Sequence, residues 1–231
     1  MRIKIAFTFN EDNIFKVPVN YNILIQGFIY KNLPKSTADF IHDRGYEREG
    51  RSFKMFTFSR LIGNYRYYKG ILEYKGPFYF YISSPDDDFI SDFANQLIKN
   101  AELNIFDQKI NLYSIEVFKT PTFEDSVKIK MLSPVVVYQT LYTADNKKKT
   151  YYYSPAENEF SGLLSDNLRR KFEAYYKTPA NKRIVKIRPL RVGRNDKAVI
   201  NYKGTIINGY LGLYEIKGSK QLLKLSYDSG L

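Results

Sequence analysis

Cysteine is absent from the 231 residues, and histidine occurs once. Without cysteine there is no disulfide framework, no thiol nucleophile and no thiolate metal site. A single imidazole also argues against a zinc centre and against metal catalysis that relies on histidine ligands, so the expectation is no metal and no cofactor. Acidic charge is in short supply as well: 24 Asp and Glu against 36 Lys and Arg leave a net charge of +12. That surplus fits a polyanionic partner. No apolar run reaches the roughly eighteen residues that a membrane span needs. The opening MRIKIAFTFN alternates like a strand and lacks the apolar centre of a signal peptide. A cytoplasmic protein with no membrane contact is expected.

The length accommodates two domains of ordinary size, and the order of elements repeats. Ile3, Ile5, Phe7 and Phe9 alternate with polar or small residues over 1–9, the period of a half-buried strand. A helix over 21–33, a strand over 55–60, a hairpin arm around 65–68, an aromatic strand over 78–82, a helix over 86–100 and a strand over 110–118 follow. With the hairpin set aside, this is a ferredoxin-like (RRM-like) βαββαβ unit over residues 1–120. TPTFEDS at 120–126 reads as a polar joint between domains. From 126 to 231 the pattern starts again. It has a strand over 127–137 containing Pro134, a hairpin whose basic tip is 145–149, a helix over 156–176, strands over 183–191 and 199–216, and a helix over 218–228. The expected fold class is α+β, two tandem ferredoxin-like domains. By that topology the second needs one more strand after its last helix, and the sequence stops at SYDSGL before it. The strand from Val127 would then lack a neighbour.

The chemistry concentrates in 21–58. Tyr21, Leu24, Ile25 and Phe28 form one helical stripe, and Tyr30 falls opposite it, free to face a surface. Pro34 ends that helix, and Ser36 or Thr37 can cap a short second helix carrying Ile41 and His42. Residues 43–50 read as a charged mobile loop, and Lys54 as a strand-opening residue with its charge in solvent. Cutting RNA without a metal needs a base for the ribose 2′-hydroxyl, a donor for the leaving 5′-oxygen and a cation for the phosphorane. Histidine, tyrosine and lysine have the chemistry for those tasks, although spacing alone also suits a surface histidine and packing tyrosines.

The phrases FKVPVNYNILIQGFIYKNL, FIHDRGY, RSFKMFTFSRL and FYFYISSP resemble, in order and spacing, the CRISPR-associated endoribonucleases of the RAMP superfamily that cut precursor CRISPR RNA within its repeats. LSPVVVY, PAENEFSGLLSDNL and LLKLSYDSGL extend the likeness along the chain. The resemblance implies His42 as general base, Tyr30 as its assistant and Lys54 as the stabiliser of charge. It also implies tandem ferredoxin-like folds, metal-independent cleavage, and a product with a 2′,3′-cyclic phosphate and a 5′-hydroxyl. The family's glycine-rich loop and last strand are not found; the sequence ends where the loop would begin.

For RNA contacts the densest basic run is KRIVKIRPLRVGRNDK, with Lys182, Arg183, Lys186, Arg188, Arg191, Arg194 and Lys197 on an expected hairpin. Arg51 and Lys31, with Lys16, Arg44, Arg48 and Arg60, surround the catalytic stretch and suit flanking phosphates. The partners expected are CRISPR repeat RNA, with a CRISPR effector complex and a homodimer left open. A non-cleaving RNA-binding subunit of a CRISPR ribonucleoprotein complex is the competing reading, and a basic structural protein without RNA the third.

Overall fold

The computed structural model describes residues 1–9, 14–181 and 183–231, in two compact units: 1–121 with 228–230, and 122–227 with 231. In the first unit the opening alternation becomes β1 (Arg2–Thr8), with Ile3, Ile5 and Phe7 in the core. Lys4, on the opposite face, pairs with Glu116 at 2.9 Å. Next come β2 (Phe15–Pro18), α1 (Asn22–Lys31), α2 (Lys35–Asp39) and a π turn at Phe40–Arg44. The short strands β3 (Tyr46–Arg48), β4 (Arg51–Phe53) and β5 (Thr57–Phe58) precede the long hairpin of β6 (Ile62–Tyr68) and β7 (Ile71–Ser83). Helix α3 (Asp87–Lys99), β8 (Leu103–Ile105) and β9 (Gln108–Phe118) complete the unit. Every pairing is antiparallel. β7 lies beside β1, β1 beside β9 and β9 beside β8, while β2, β5 and β6 also pair with β7.

Helices α1 and α3 supply Ile25, Phe28, Ile29, Phe89, Ile90, Phe93 and Leu97 to one core with the sheet. Phe28 meets Phe7 and Phe93 edge-on, at centroid distances of 5.7 and 6.2 Å. Burying a side chain of this size contributes about 1.5–3 kcal/mol, so packing holds α1 in place more firmly than its propensity does. Asp86 accepts the Phe89 N–H at 3.2 Å and caps α3.

Several local expectations fail in this unit, the first being that α2 ends at Asp39, so Ile41 and His42 fall beyond it in the π turn. Helix α2 starts directly behind Pro34 without a side-chain cap, because the Thr37 hydroxyl instead donates to Asp92 Oδ2 at 2.8 Å. The stretch read as a mobile loop forms the β3–β4 hairpin, with Glu49 (φ 51°) and Gly50 (φ 72°) taking the two positive-φ positions that suit a two-residue turn. The strand expected over 55–60 shrinks to β5, because Met55 has a φ of 53°, outside the extended region.

The second unit comprises β10 (Ser126–Lys130), β11 (Tyr138–Tyr142), β12 (Lys148–Tyr152), α4 (Asn158–Tyr176), β13 (Val185–Arg191), a 3-10 turn at Arg194–Asp196, β14 (Lys197–Tyr202), β15 (Thr205–Tyr210), β16 (Leu213–Gly218) and most of α5 (Lys220–Ser229), whose last two residues are counted with the first unit. Its sheet has the order β10-β16-β13, and β11–β12 and β14–β15 are separate hairpins. From α4, Phe160, Leu164, Leu168 and Phe172 are buried, and from α5, Leu222, Leu223 and Leu225.

Here the long strands read from sequence break up. The one expected over 127–137 stops at Lys130 and returns only as a single bridge from Val135 to Tyr210, since Pro134 has no N–H to give. The one expected over 199–216 is three strands, turned at Lys203–Gly204 (φ 49° and 80°) and at Gly212 (φ 114°). β10 does have a neighbour, β16. The basic run is not one hairpin: β13 pairs with β16, and β14 pairs with β15. Lys182 lies outside the described residues.

Candidate active site

Tyr30 comes near the end of α1, off the buried stripe of Tyr21, Ile25 and Phe28, and is half-buried. Its ring is met edge-on by Phe56 at 6.1 Å and by the His42 imidazole at 5.8 Å. Phe56 in turn stacks on Phe89 at 5.0 Å, which ties the floor beneath Tyr30 to α3. The tyrosine is therefore held by aromatic packing below and faces the histidine above.

His42 lies in the π turn. Such turns are rare because their wide hydrogen bonds pack less well, and they concentrate at functional sites. The bond that closes this one runs from the Gly45 N–H to the Phe40 carbonyl at 2.7 Å. Ile41 is buried and anchors the turn, which leaves the neighbouring His42 side chain 74% exposed. Gly45 has φ 66° and ψ −154°, a region that is essentially reserved for glycine. A Cβ there would sit 2.7 Å from the Phe53 carbonyl oxygen and 2.9 Å from Ser52 Oγ. The β3–β4 hairpin thus presses against the turn and fixes it, helped by the Ser52 hydroxyl donating to the Arg44 carbonyl. Tyr46 braces the hairpin from the other side, donating to Asp86 Oδ2 at 2.7 Å and meeting Phe40 edge-on at 5.4 Å.

Lys54 follows β4, and its Nζ donates to the His42 carbonyl at 2.7 Å. The ammonium is thus engaged by the π turn and half-buried, where the sequence reading had it in solvent. An ammonium has three N–H donors, so two remain for an anion. The imidazole Nδ1 lies 2.7 Å from Asp43 Oδ1. An ionised carboxylate can only accept, so Nδ1 donates in this pair, and in the neutral imidazole Nε2 is then the nitrogen that can accept a proton. Asp43, expected within a charged loop, is thus the partner of the imidazole, and its adjacency to His42 in the chain is the one local signal of the pair.

Tyr30, His42 and Lys54 are thus gathered at one rim of the first unit. Lys31, the last residue of α1, and Arg51, the first of β4, are both exposed. In the second unit Lys186 is exposed, and Arg188 Nε donates to Glu215 Oε2 at 2.6 Å. Lys217 lies 3.4 Å from the same carboxylate, and the Arg188 hydrogen bond is the main reason Glu215 is held below its ordinary range. Arg191, at the end of β13, and Arg194, opening the 3-10 turn, are exposed. Among the described residues, no three His, Asp or Glu side chains gather as metal ligands, and no helix is long and apolar enough to cross a membrane.

These parts define a class: a strongly basic α+β protein with antiparallel sheets and acid–base side chains gathered at an open rim. Comparison with known proteins narrows it. Residues 16–117 match the family described as CRISPR-associated protein Cas6, N-terminal, and residues 116–231 match CRISPR associated protein Cas6, C-terminal. The chain belongs to the Cas6 family of CRISPR-associated proteins. It is 30% identical over 174 residues to the CRISPR-associated endoribonuclease Cas6 of Pyrococcus furiosus, a match covering 72% of this chain and 61% of that protein's length. It is 24% identical over 237 residues to the CRISPR-associated endoribonuclease Cas6 1 of Methanocaldococcus jannaschii, covering 99% of this chain and 87% of the relative. Among solved structures, a Cas6-related protein from Pyrococcus furiosus superposes with a TM-score of 0.83 at 20% identity, covering 99% of this chain and 91% of that one. A RAMP protein described as binding different RNA substrates superposes with a TM-score of 0.80 at 20% identity, covering 99% and 92%. At these identities the superpositions establish the fold.

Proposed function

We propose that the protein is an endoribonuclease that cleaves precursor CRISPR RNA within its repeats, without a metal ion, leaving a 2′,3′-cyclic phosphate and a 5′-hydroxyl. The observation that carries the reading is the convergence of Tyr30, His42 and Lys54, with the imidazole 5.8 Å from the tyrosine ring and the lysine bonded to the histidine's own carbonyl. Family membership and relatives named as endoribonucleases support it.

In this reading His42 Nε2 removes the 2′-hydroxyl proton, and the hydroxyl oxygen attacks the adjacent phosphorus. A positioned base contributes about 10²–10⁴ in rate. Lys54 offers its remaining N–H donors to the phosphorane oxygens, where charge develops. Tyr30 donates to the leaving 5′-oxygen. The sheet order β9-β1-β7-β6 around α1 and α3, and β10-β16-β13 around α4, supports a ferredoxin-like reading of both units, with domains at 1–120 and 126–231. The RNA would be held by phosphate contacts from Lys31, Arg51, Lys186, Arg188, Arg191 and Arg194. The same reading puts the protein in the cytoplasm with its RNA, with an effector complex and a second copy as further partners.

The test is to incubate the protein with labelled repeat RNA in EDTA and map both product ends. Cleavage at one position with a cyclic phosphate is the expected result. Tight binding with no cleavage would leave a non-cleaving RNA-binding subunit instead.

A further inference from the structure

Between α4 and the outer edge of β13 runs a groove of about 830 Å³, lined by Ser161, Gly162 and Ser165 on the helix and by Ile184, Lys186 and Arg188 on the strand side, with Lys217 of β16. We propose that this groove binds one or two nucleotides of single-stranded RNA, phosphate against the cations and base against Ile184 and the bare helix surface at Gly162. The inference deepens the proposed function and rests on it.

The first observation concerns what the groove cannot take. β13 ends the sheet β10-β16-β13, and an edge strand ordinarily offers its free N–H groups to an incoming peptide strand. Here the Val185 N–H donates to Ser165 Oγ at 3.1 Å and the Ile187 N–H to Ser161 Oγ at 3.0 Å. Two hydroxyls one helical turn apart close the edge, so β-addition of a peptide has lost its hydrogen-bond ladder. Each hydroxyl still has its own hydrogen to donate.

The second is charge. Glu215 is nearly buried and is shared by Arg188 and Lys217, and Asp166 is met by Arg169 at 3.7 Å. The acids lining the groove are therefore already matched by cations, and Lys186 is left over, exposed and outside any ion pair among the described residues. Glu215 engages Arg188 through Nε, which leaves the terminal amino groups of the guanidinium for a phosphate. An anion fits this wall and a cation does not.

The third is Gly162. Glycine in a helix interior destabilises relative to alanine, yet a Cβ at this position would meet nothing within 4 Å. Neither crowding nor a positive φ calls for glycine there. What its missing side chain does is leave the groove wall open, in a groove also lined by Ile184, an apolar residue that is 54% exposed. A volume of this size lies within the range of small-ligand sites, about 300–1,000 Å³.

The test measures affinity by fluorescence anisotropy with labelled ten-nucleotide oligomers of U, A and C, on wild type, Gly162→Leu and Lys186→Glu, with thermal unfolding alongside. Leucine at 162 suits a helix and fills the groove; glutamate at 186 reverses the unpaired charge on an exposed site. Each variant should bind its best oligomer at least about tenfold more weakly than wild type, and Lys186→Glu should lower the slope of log affinity on log salt by about 0.7 or more. Should Gly162→Leu unfold early, Lys186→Glu decides alone. Affinities within twofold of wild type in the folded variants, from a protein that still cuts repeat RNA, overturn the groove and leave the endoribonuclease reading intact. A wild type that neither binds RNA nor cuts it overturns both.

Discussion

Replacing Gly45 by alanine should damage the candidate site without touching any of its three side chains. At φ 66° and ψ −154° the backbone lies in a region where a non-glycine residue costs about 1–3 kcal/mol. The added Cβ also falls 2.7 Å from the Phe53 carbonyl and 2.9 Å from Ser52 Oγ. Ser52 can turn aside, but a β4 carbonyl cannot move alone, so the hairpin must shift by several tenths of an ångström or Gly45 must change conformation. Either movement strains the Gly45 to Phe40 hydrogen bond that closes the π turn and the Lys54 bond to the His42 carbonyl. A total of roughly 2–3 kcal/mol corresponds to a fall of about 5–15 °C in the unfolding temperature for a unit of this size. Thermal unfolding and single-turnover cleavage of repeat RNA at a temperature where the variant is folded would be measured together. The expected result is a lower Tm and a rate reduced by at least tenfold with binding largely kept, since misplacement by about 1 Å can cost as much as 10² in rate. A variant that unfolds within 1 °C of wild type and cleaves normally would refute the claim that the hairpin fixes the histidine turn.

Other expectations follow from single contacts. Lys54→Ala should slow cleavage at saturating RNA more than it weakens binding if, as proposed, the ammonium acts most on the charge of the phosphorane; equal losses in both would make it a binding residue. Arg191→Ala should reduce the salt dependence of RNA affinity by about 0.7–0.9 in log–log slope while leaving Tm unchanged, since Arg191 is exposed and outside any ion pair among the described residues. Arg188→Ala should lower Tm as well, because it strands the nearly buried Glu215 with Lys217 alone. Glu215 and Glu73 are held below 4.5, in each case first by an arginine hydrogen bond. Their contribution to stability is therefore complete above that value and is lost as pH falls through the lowered pKa values. Glu215→Gln should flatten the acid limb of a Tm-against-pH profile below about 4.5, and an unchanged limb would count against the ion pair.

Periodicity made the helices legible. The stripe of Tyr21, Ile25 and Phe28 located α1, and the helices expected over 86–100 and 156–176 lie within a few residues of α3 and α4. What sequence did not disclose was set by backbone conformation or by distant partners. Met55 and Glu49 take positive φ although neither is a usual turn residue, so a strand shortened and a loop became a hairpin. Nothing local in KRIVKIRPLR shows that β13 pairs with β16, some 27 residues later, and not with β14. At the site, the roles came from resemblance; the rings of Tyr30 and His42 meet, and Lys54 reaches the His42 backbone. Their coupling was invisible, because it runs through the His42 carbonyl, a group every residue possesses, and through Asp43, which composition reads as ordinary surface charge.

The central claim is that His42 takes the 2′-hydroxyl proton, and its most direct test is single-turnover cleavage of repeat RNA by His42→Ala in EDTA, with affinity measured on the same preparation. The account predicts a rate lowered by about 10²–10⁴ at an affinity within a few fold of wild type. Cleavage at the wild-type rate would contradict it.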